Sequence, residues 1–116
     1  MVARVYNEYG YINIAEGVIA NIAGMAAMEC YGLVGMASKR STDGFVELLK
    51  RENVKKGVKI TRNESGVTID LYVIIEYGVK ISVVAENIID KVKYSVEQQT
   101  GIKVNKINVI VESVRV

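Results

Sequence analysis

Few side chains in this chain could support covalent or acid–base chemistry. It has one cysteine, Cys30, and no histidine, so the commonest general base and the usual zinc ligand are missing. Cys30 ends an apolar segment, and no cationic residue lies close to it in sequence, so we expect a buried, unreactive thiol. A single cysteine also excludes an intramolecular disulfide, which fits a reducing compartment.

The acidic side chains are scattered singly. Asp70 and Glu76 fall on one face of a predicted strand, while Glu86, Asp90 and Glu97 fall on one flank of a predicted helix. No two of them form a pair shielded from solvent, where their pKa values would be driven apart. The glycines form neither a phosphate-binding loop nor a dinucleotide-binding motif. We therefore predict no catalytic, cofactor-binding or metal-binding residues, and a protein that is not an enzyme.

Positive charge is concentrated in one segment. The formal net charge of the chain is +2, but between Lys39 and Arg62 there are eight basic and three acidic residues, a local net charge of +5. Such a segment could contact RNA, anionic lipid headgroups or an acidic protein. Alternatively, it is a solvated surface whose lysines protect a strand edge. The candidate partner-binding surface consists of Lys50, Arg51, Lys55, Lys56, Lys59 and Arg62.

Aromatic residues and one glycine pair raise the alternative of RNA binding. Seven tyrosines accompany one phenylalanine, and Tyr72 lies on a strand face where it could stack on a base or pack with its hydroxyl in solvent. Gly32 and Gly35 have the spacing of the G-x-x-G loop of RNA-binding KH modules. The residues between them are apolar, which argues against such a loop. An RNA-binding module that uses the basic segment and Tyr72 is the alternative function.

A predicted strand–helix–strand unit in the C-terminal half positions most of these residues. Apolar and polar residues alternate over residues 67–75 and 107–111, which is typical of half-buried strands. Apolar residues three and four apart predict a helix over residues 83–100, capped by Ser82 and ended by Gly101. A helical connection of this length predicts that the two strands are parallel in one sheet.

The N-terminal half contains a predicted helix that is almost uncharged. Residues 15–31 include only Glu16 and Glu29 as charges, and Asn13 and Glu16 have capping-box spacing. A helix this apolar is normally covered on more than one face. Either it is the central element of the domain, or its small residues contact a second copy of the protein. The candidate self-association face consists of Ala20, Ala23, Gly24 and Ala27.

The remaining patterns complete an α+β fold, a small mixed β-sheet covered by two main helices. They predict a short strand at residues 33–37, a short helix at residues 44–52 and a hairpin that turns at Gly66. Residues 14–19 resemble residues 84–89, which indicates two pseudo-repeated strand–helix–strand halves.

The domain organisation and location follow from the ends and the apolar runs of the chain. Residues 1–9 are expected to be a loosely ordered N-terminal arm with a short extended piece, and residues 10–116 a single domain. The first ten residues lack the apolar core of a signal peptide. The apolar run at residues 18–28 is shorter than the roughly 20 residues that a membrane span needs. A cytoplasmic protein is expected.

Several separated motifs resemble the Gram-positive alkaline shock protein family, also called the envelope stress response family. They are YGYINIAEGVIANIAGMAAMECYGLVGMASK, VELLKRENVKKGVKI, and EYGVKIS followed by VVAENIIDKVKYSVEQQTGIKVNKINVIVESV. In order and spacing they cover nearly the whole chain. The segments CYGLVGMASK and TIDLYVIIEYGVKIS are most similar to the short, YloU-type branch.

This resemblance implies a role in cell-envelope homeostasis and in alkaline or general stress, with no assigned catalytic residues and no cofactor. It also implies a cytoplasmic protein. In some members of the family, a separate anchor protein recruits it to the inner face of the cell membrane. The branch implies a fatty-acid metabolism enzyme as an alternative partner to a membrane anchor. Together with the residues, it predicts a non-enzymatic adaptor or scaffold that forms a homo-oligomer and docks a partner protein.

Overall fold

The computed structural model describes residues 2–7, 10–38 and 51–115. None of the helices in these segments is long and apolar enough to cross a membrane. In chain order the elements are β1 (Val2–Asn7), β2 (Gly10–Ala15), α1 (Glu16–Met28), β3 (Leu33–Met36), a 3-10 helix (Arg51–Gly57), β4 (Val58–Asn63), β5 (Gly66–Glu76), α2 (Ile81–Thr100) and β6 (Val104–Arg115).

β5 is the central strand of a mixed four-stranded sheet. β6 pairs with one side of it in parallel, as the predicted helical crossover requires. On the other side, β4 and β3 both pair antiparallel with β5, one after the other along its length. β4 and β5 form the hairpin predicted to turn at Gly66. The predicted α+β class, a mixed sheet with two main helices, is confirmed.

Both helices cover the same face of this sheet. Alternate residues of β5 face the core, and the α2 residues that meet them are spaced three or four apart, as an amphipathic helix requires. Complete burial of one such aliphatic side chain contributes about 1.5–3 kcal/mol. The buried residues are Val67, Ile69, Leu71, Val73 and Ile75 of β5 and Val84, Ile88, Val92 and Val96 of α2.

The C-terminal end of α2 is as predicted, but its start is not. Gly101 has φ +75° and its N–H donates to Glu97 O at 2.9 Å, so the left-handed cap is confirmed. The helix begins at Ile81 with Lys80 as its N-cap and no side-chain cap, so the prediction that Ser82 caps it is wrong. The first turn uses backbone alone, because the N–H groups of residues 83 and 84 donate to Lys80 O.

α1 is shorter than predicted at both ends. Its N-cap is Ala15, without a side-chain cap, so the capping box of Asn13 and Glu16 is wrong. Asn13 lies in β2, which runs directly into the helix, and it is therefore too early in the chain to cap it. α1 ends at Met28, and a turn leads to Gly32, whose φ of +87° suits glycine.

The strand–helix–strand order occurs twice, but the two halves pair differently. β5 and β6 flank α2 in one sheet, whereas β2 pairs with β1 in a separate antiparallel hairpin and β3 joins the main sheet. The extended piece expected near the N-terminus is β1. The division into an arm at residues 1–9 and a single domain stays a prediction. The helix predicted at residues 44–52 lies outside the described residues, except for its last two, which belong to the 3-10 helix.

Candidate functional site

An open groove of about 310 Å³ lies between the start of α1, the 3-10 helix and β4. Its floor is apolar, two lysines lie on one side of it, and a glutamate lies on the other. A groove of this kind can accept an apolar side chain together with acidic groups. The lining residues are Glu16, Gly17, Ala20, Lys55, Lys56, Val58 and Ile60.

The 3-10 helix places the two lysines at the groove. Val54 is fully buried and packs so closely on α1 that a Cβ added to Gly24 would lie 2.9 Å from its Cγ2. Because Val54 faces inward, the next two residues, Lys55 and Lys56, lie at the surface and are exposed. The absence of a side chain at Gly24 therefore allows the close approach that forms the groove.

The structure brings only part of the predicted partner-binding surface together. Lys55 and Lys56 line the groove. Lys59 and Arg62 are exposed on β4, where strand alternation places Lys59 on the face opposite Val58 and Ile60. Lys50 lies outside the described residues, as does the side chain of Arg51.

The predicted self-association face lies inside the chain. Ala20 is 6% exposed, Ala23 and Ala27 are 0% exposed, and Gly24 is buried. α1 contacts α2, the 3-10 helix, β3 and β4, and its small residues let these elements approach closely. Two alternatives were given for this helix, and the structure shows that it is the central element of the domain. These four residues therefore do not offer a surface to a second copy. Self-association itself stays a prediction.

Several exposed apolar side chains belong to the segments that meet at the end of the sheet where α2 begins. Backbone hydrogen bonds join the segments that carry it, because Glu76 N–H donates to Gly32 O at 2.8 Å and Tyr77 N–H donates to Arg115 O at 2.7 Å. Tyr31 is 80% exposed and Tyr77 is 71% exposed. We use the name tyrosine cluster for the exposed apolar residues of these joined segments, which are Tyr31, Tyr77, Ile81, Val83 and Val114.

The tyrosine cluster was not predicted from the sequence, although one local signal marks it. Tyr31 and Tyr77 each directly precede a glycine with positive φ, Gly32 at +87° and Gly78 at +93°. Such glycines occur in tight turns, and a large side chain next to a surface turn has little to pack against. Exposed tyrosines are also typical of protein-binding surfaces.

Comparison with known proteins identifies the family. The profile of the alkaline shock protein 23 family, described as having a cell envelope-related function, matches residues 4–116. The chain belongs to the alkaline shock protein 23 family. The predicted resemblance to the alkaline shock family is thereby confirmed, and the 48% identity to YloU confirms the resemblance to its YloU-type branch.

Relatives of this alkaline shock family member occur in Gram-positive bacteria. It is 48% identical to YloU of Bacillus subtilis (strain 168) over 110 residues, which cover 94% of this chain and 92% of the relative. It is 39% identical to Spy1614 of Streptococcus pyogenes serotype M6 over 117 residues, 100% of this chain and 97% of the relative. A stress response regulator gls24 homolog of Streptococcus pyogenes serotype M3 is 26% identical over 106 residues, 91% of this chain and 59% of the relative. No solved structure matches significantly.

Cys30 of this alkaline shock family member is half-buried in the turn after α1, where a buried thiol was predicted. Its Sγ lies 3.7 Å from Ala26 O and 3.9 Å from Asn87 O, and the thiol can donate a weak hydrogen bond to either. Burial raises the pKa of the Cys30 thiol, Lys91 acts to lower it, and Glu29 adds to the increase. A thiol with a raised pKa is a weak nucleophile at neutral pH.

The carboxylates do not gather into a reactive group in the described part of the chain. There, no three Cys, Asp or Glu side chains lie close enough together to hold a metal ion. Asp70 accepts a hydrogen bond from Asn108 Nδ2 at 2.7 Å, so it joins neighbouring strands β5 and β6. This contact gives Asp70 a structural role between the two strands.

The features that indicated RNA binding lie apart from each other. Tyr72 is half-buried on the face of β5 that points away from the core, in register with Ile110 and two residues from the acidic Asp70. Gly35 lies within β3, so Gly32 and Gly35 do not form a loop between two helices. Among the described basic residues, only Lys55 and Lys56 line the groove, which lies on the helix side of the sheet.

Proposed function

We propose that this protein is a non-enzymatic adaptor or scaffold in cell-envelope homeostasis and the stress response, which acts by self-association and by docking a partner protein. The cell envelope-related function described for the alkaline shock protein 23 family supports the biological setting. The stress response named for the gls24 relatives supports the link to stress. The observation that carries the docking proposal is the groove with an apolar floor and two lysines.

The groove suits an acidic amphipathic segment of a partner. Ile60 is half-buried and provides most of the exposed apolar surface, whereas Ala20 is 6% and Val58 is 1% exposed, so apolar contact adds to the affinity mainly at Ile60. Lys55 and Lys56 are solvent-exposed, so each charge pair contributes only about 0–1 kcal/mol, but together they favour acidic partners and speed association. Glu16, on the opposite side, disfavours a second acidic group there and thereby sets the direction in which the segment lies.

The proposed setting is the cytoplasm, with recruitment to the inner face of the cell membrane by the docked partner. The two partner classes are a membrane anchor and a fatty-acid metabolism enzyme. A docked partner of either class would link this chain to the envelope.

Affinity capture from the native cell tests the proposal. Tagged protein is recovered from lysate in mild detergent, with half of each sample treated with nuclease. Wild type is compared with Lys55→Glu/Lys56→Glu, which reverses the charge at the groove. The control is Lys93→Glu/Lys103→Glu, which reverses two other exposed lysines and changes the net charge equally.

A membrane or lipid-metabolism protein should be recovered equally with and without nuclease. It should be lost from the groove variant and retained by the control, because only the groove variant repels an acidic segment. Equal loss from both variants would contradict docking at the groove. Recovery dominated by RNA, removed by nuclease and falling steeply with salt, would replace the adaptor with the RNA-binding function.

A further inference from the structure

β6 forms an edge of the main sheet. It pairs with β5 on one side, and no other described strand pairs with its opposite side. It is 12 residues long, about twice the usual length of a strand. An edge strand of this length presents a row of backbone N–H and C=O groups that another strand can bind.

The contacts of β6 with the rest of the described chain leave this edge open. Apart from its pairing with β5, its backbone bonds lie near its ends, where Val104 N–H donates to Glu97 Oε2 at 2.9 Å and Arg115 O accepts from Tyr77 N–H. The chain has no proline to block the edge. Pairing with β5 is regular from Lys106 to Val111 and shifts register at either end. The central part of the edge is therefore regular and has no described cover.

The side chains of this central part, together with Glu112 at the register shift that follows it, are arranged symmetrically by charge. Residues 106–112 read KINVIVE, with one charge of each sign at the ends and Val109 in the middle. If two copies of the strand pair antiparallel about a two-fold axis at Val109, Lys106 of each copy lies opposite Glu112 of the other. Ile107 then lies opposite Val111. Opposite charges and β-branched pairs in such positions stabilise a sheet, whereas like charges destabilise it.

We infer that β6 is the self-association strand of this protein. Two copies join edge to edge through antiparallel β6 strands, with the two-fold axis at Val109, so that one sheet continues through both. A shift of the register by two residues would leave both charges without their partners, so the charges select this register. The inference rests on the self-association in the proposed function and gives it a surface other than the small residues of α1.

Exchanging the two charges tests the arrangement. The full chain is studied by sedimentation equilibrium over a concentration series, as wild type, Lys106→Glu, Glu112→Lys and the double variant that carries both changes. Each single variant places two pairs of like charges in a symmetric dimer. We expect its dimer dissociation constant to rise about tenfold, because two attractive charge pairs become repulsive. The double variant restores both attractions and should dimerise like wild type.

An equimolar mixture of the two single variants gives the most specific readout. In a mixed dimer, the glutamate introduced at position 106 of one copy lies opposite the lysine introduced at position 112 of the other. The native Lys106 likewise lies opposite the native Glu112. A fluorescent label on one variant should therefore show mixed dimers at concentrations where each variant alone is a monomer. Thermal unfolding of each single variant should stay close to that of wild type, because Lys106 is exposed and Glu112 is only half-buried.

Three results would overturn the inference: a wild-type monomer at several hundred micromolar, single variants that dimerise like wild type, or a mixture that stays monomeric. Partner capture by Lys106→Glu separates this inference from the docking function. If this variant dimerises like wild type and still recovers the partner that Lys55→Glu/Lys56→Glu loses, the inferred edge fails while docking at the groove stands. If it is monomeric and the groove variant retains the partner, docking fails while the edge stands.

Discussion

At the scale of single residues, Gly24 decides how closely α1 and the 3-10 helix approach. A Cβ at this position would lie 2.9 Å from Val54 Cγ2, 3.0 Å from Val54 Cβ and 3.3 Å from Val54 O. We predict that Gly24→Ala destabilises the protein by about 1–3 kcal/mol, the usual result of overpacking a core. The loss should exceed the gain of about 1 kcal/mol that alanine brings to a helix. Urea unfolding followed by circular dichroism measures the difference.

Gly17→Ala in the same helix is the control for this prediction. A Cβ at Gly17 would meet nothing within 4 Å, so only the better helix propensity acts. The free energy of unfolding should stay equal or rise by up to about 1 kcal/mol. If both variants change stability in the same direction and by the same amount, the contact with Val54 is not what restricts Gly24.

The reactivity of Cys30 depends on an ion pair beside it. Lys91 Nζ lies 4.0 Å from Glu29 Oε2, and the two charges act on the pKa of the thiol in opposite directions. We predict that Glu29→Gln lowers the pKa of Cys30 and speeds its reaction with a disulfide reagent at pH 8. Lys91→Gln should raise the pKa and slow the reaction, because the thiolate is the reacting form.

Labelling rates between pH 7 and pH 10 check this prediction. Burial is the largest cause of the raised pKa, so folded wild type should react more slowly than urea-unfolded protein at every pH below the raised pKa. The control is the pair of variants in urea, where both should react like wild type. Equal rates for both folded variants would show that the pair does not reach the thiol.

At the scale of elements, a hydrogen bond from β6 to α2 sets where β6 begins. Glu97 Oε2 accepts from the N–H of Val104 at 2.9 Å, and Val104 is only 3% exposed. We predict that Glu97→Ala destabilises the protein by about 1–3 kcal/mol, because it leaves a buried N–H without an acceptor. Glu97→Gln keeps an acceptor oxygen and should lose less than half as much. Chemical unfolding of the two variants compares them, and equal losses would contradict this role of the hydrogen bond.

The elements also show what the sequence could predict. Period-two and helical patterns were sufficient to predict β4, β5, α2 and the parallel β6, because each pattern reflects burial of one face of the element. The helix caps were mispredicted, since the N-caps are Lys80 and Ala15 and neither helix has a side-chain cap. For α1, the pattern showed that the small-residue face must pack against another element, but not which one. Val54, which packs against this face at Gly24, lies thirty positions beyond Gly24 in the chain.

The candidate surfaces could be predicted only in part, for a similar reason. Lys55 and Lys56 were found from charge alone, because exposed lysines need no tertiary contact to be recognised. The groove beside them depends on α1 and β4, which come together only in the folded chain. The tyrosine cluster likewise combines three segments that are far apart in sequence.

At the scale of the whole molecule, the two sheets differ in how strongly they are tied to the core. Among the described strands, β5 pairs with β3, β4 and β6, whereas β1 and β2 pair only with each other. A two-stranded hairpin alone is marginally stable, so opening it should require less free energy than unfolding the core. We predict that amides in β1 and β2 exchange with solvent at least thirtyfold faster than those in β5, relative to their intrinsic rates. Hydrogen exchange followed by mass spectrometry measures this ratio.

The urea dependence of hydrogen exchange distinguishes local opening of the hairpin from opening that exposes the core. Exchange in β5 should accelerate strongly with urea, because it requires exposure of the shared core. Exchange in β1 and β2 should respond weakly, because local opening exposes little surface. If the β6 edge pairs with a second copy, raising the protein concentration should slow hydrogen exchange in β6. Exchange in β4, which lies at the opposite side of the sheet, should stay unchanged and is the internal control. Equal protection and equal urea dependence in β1, β2 and β5 would instead place the hairpin in one cooperative unit with the core.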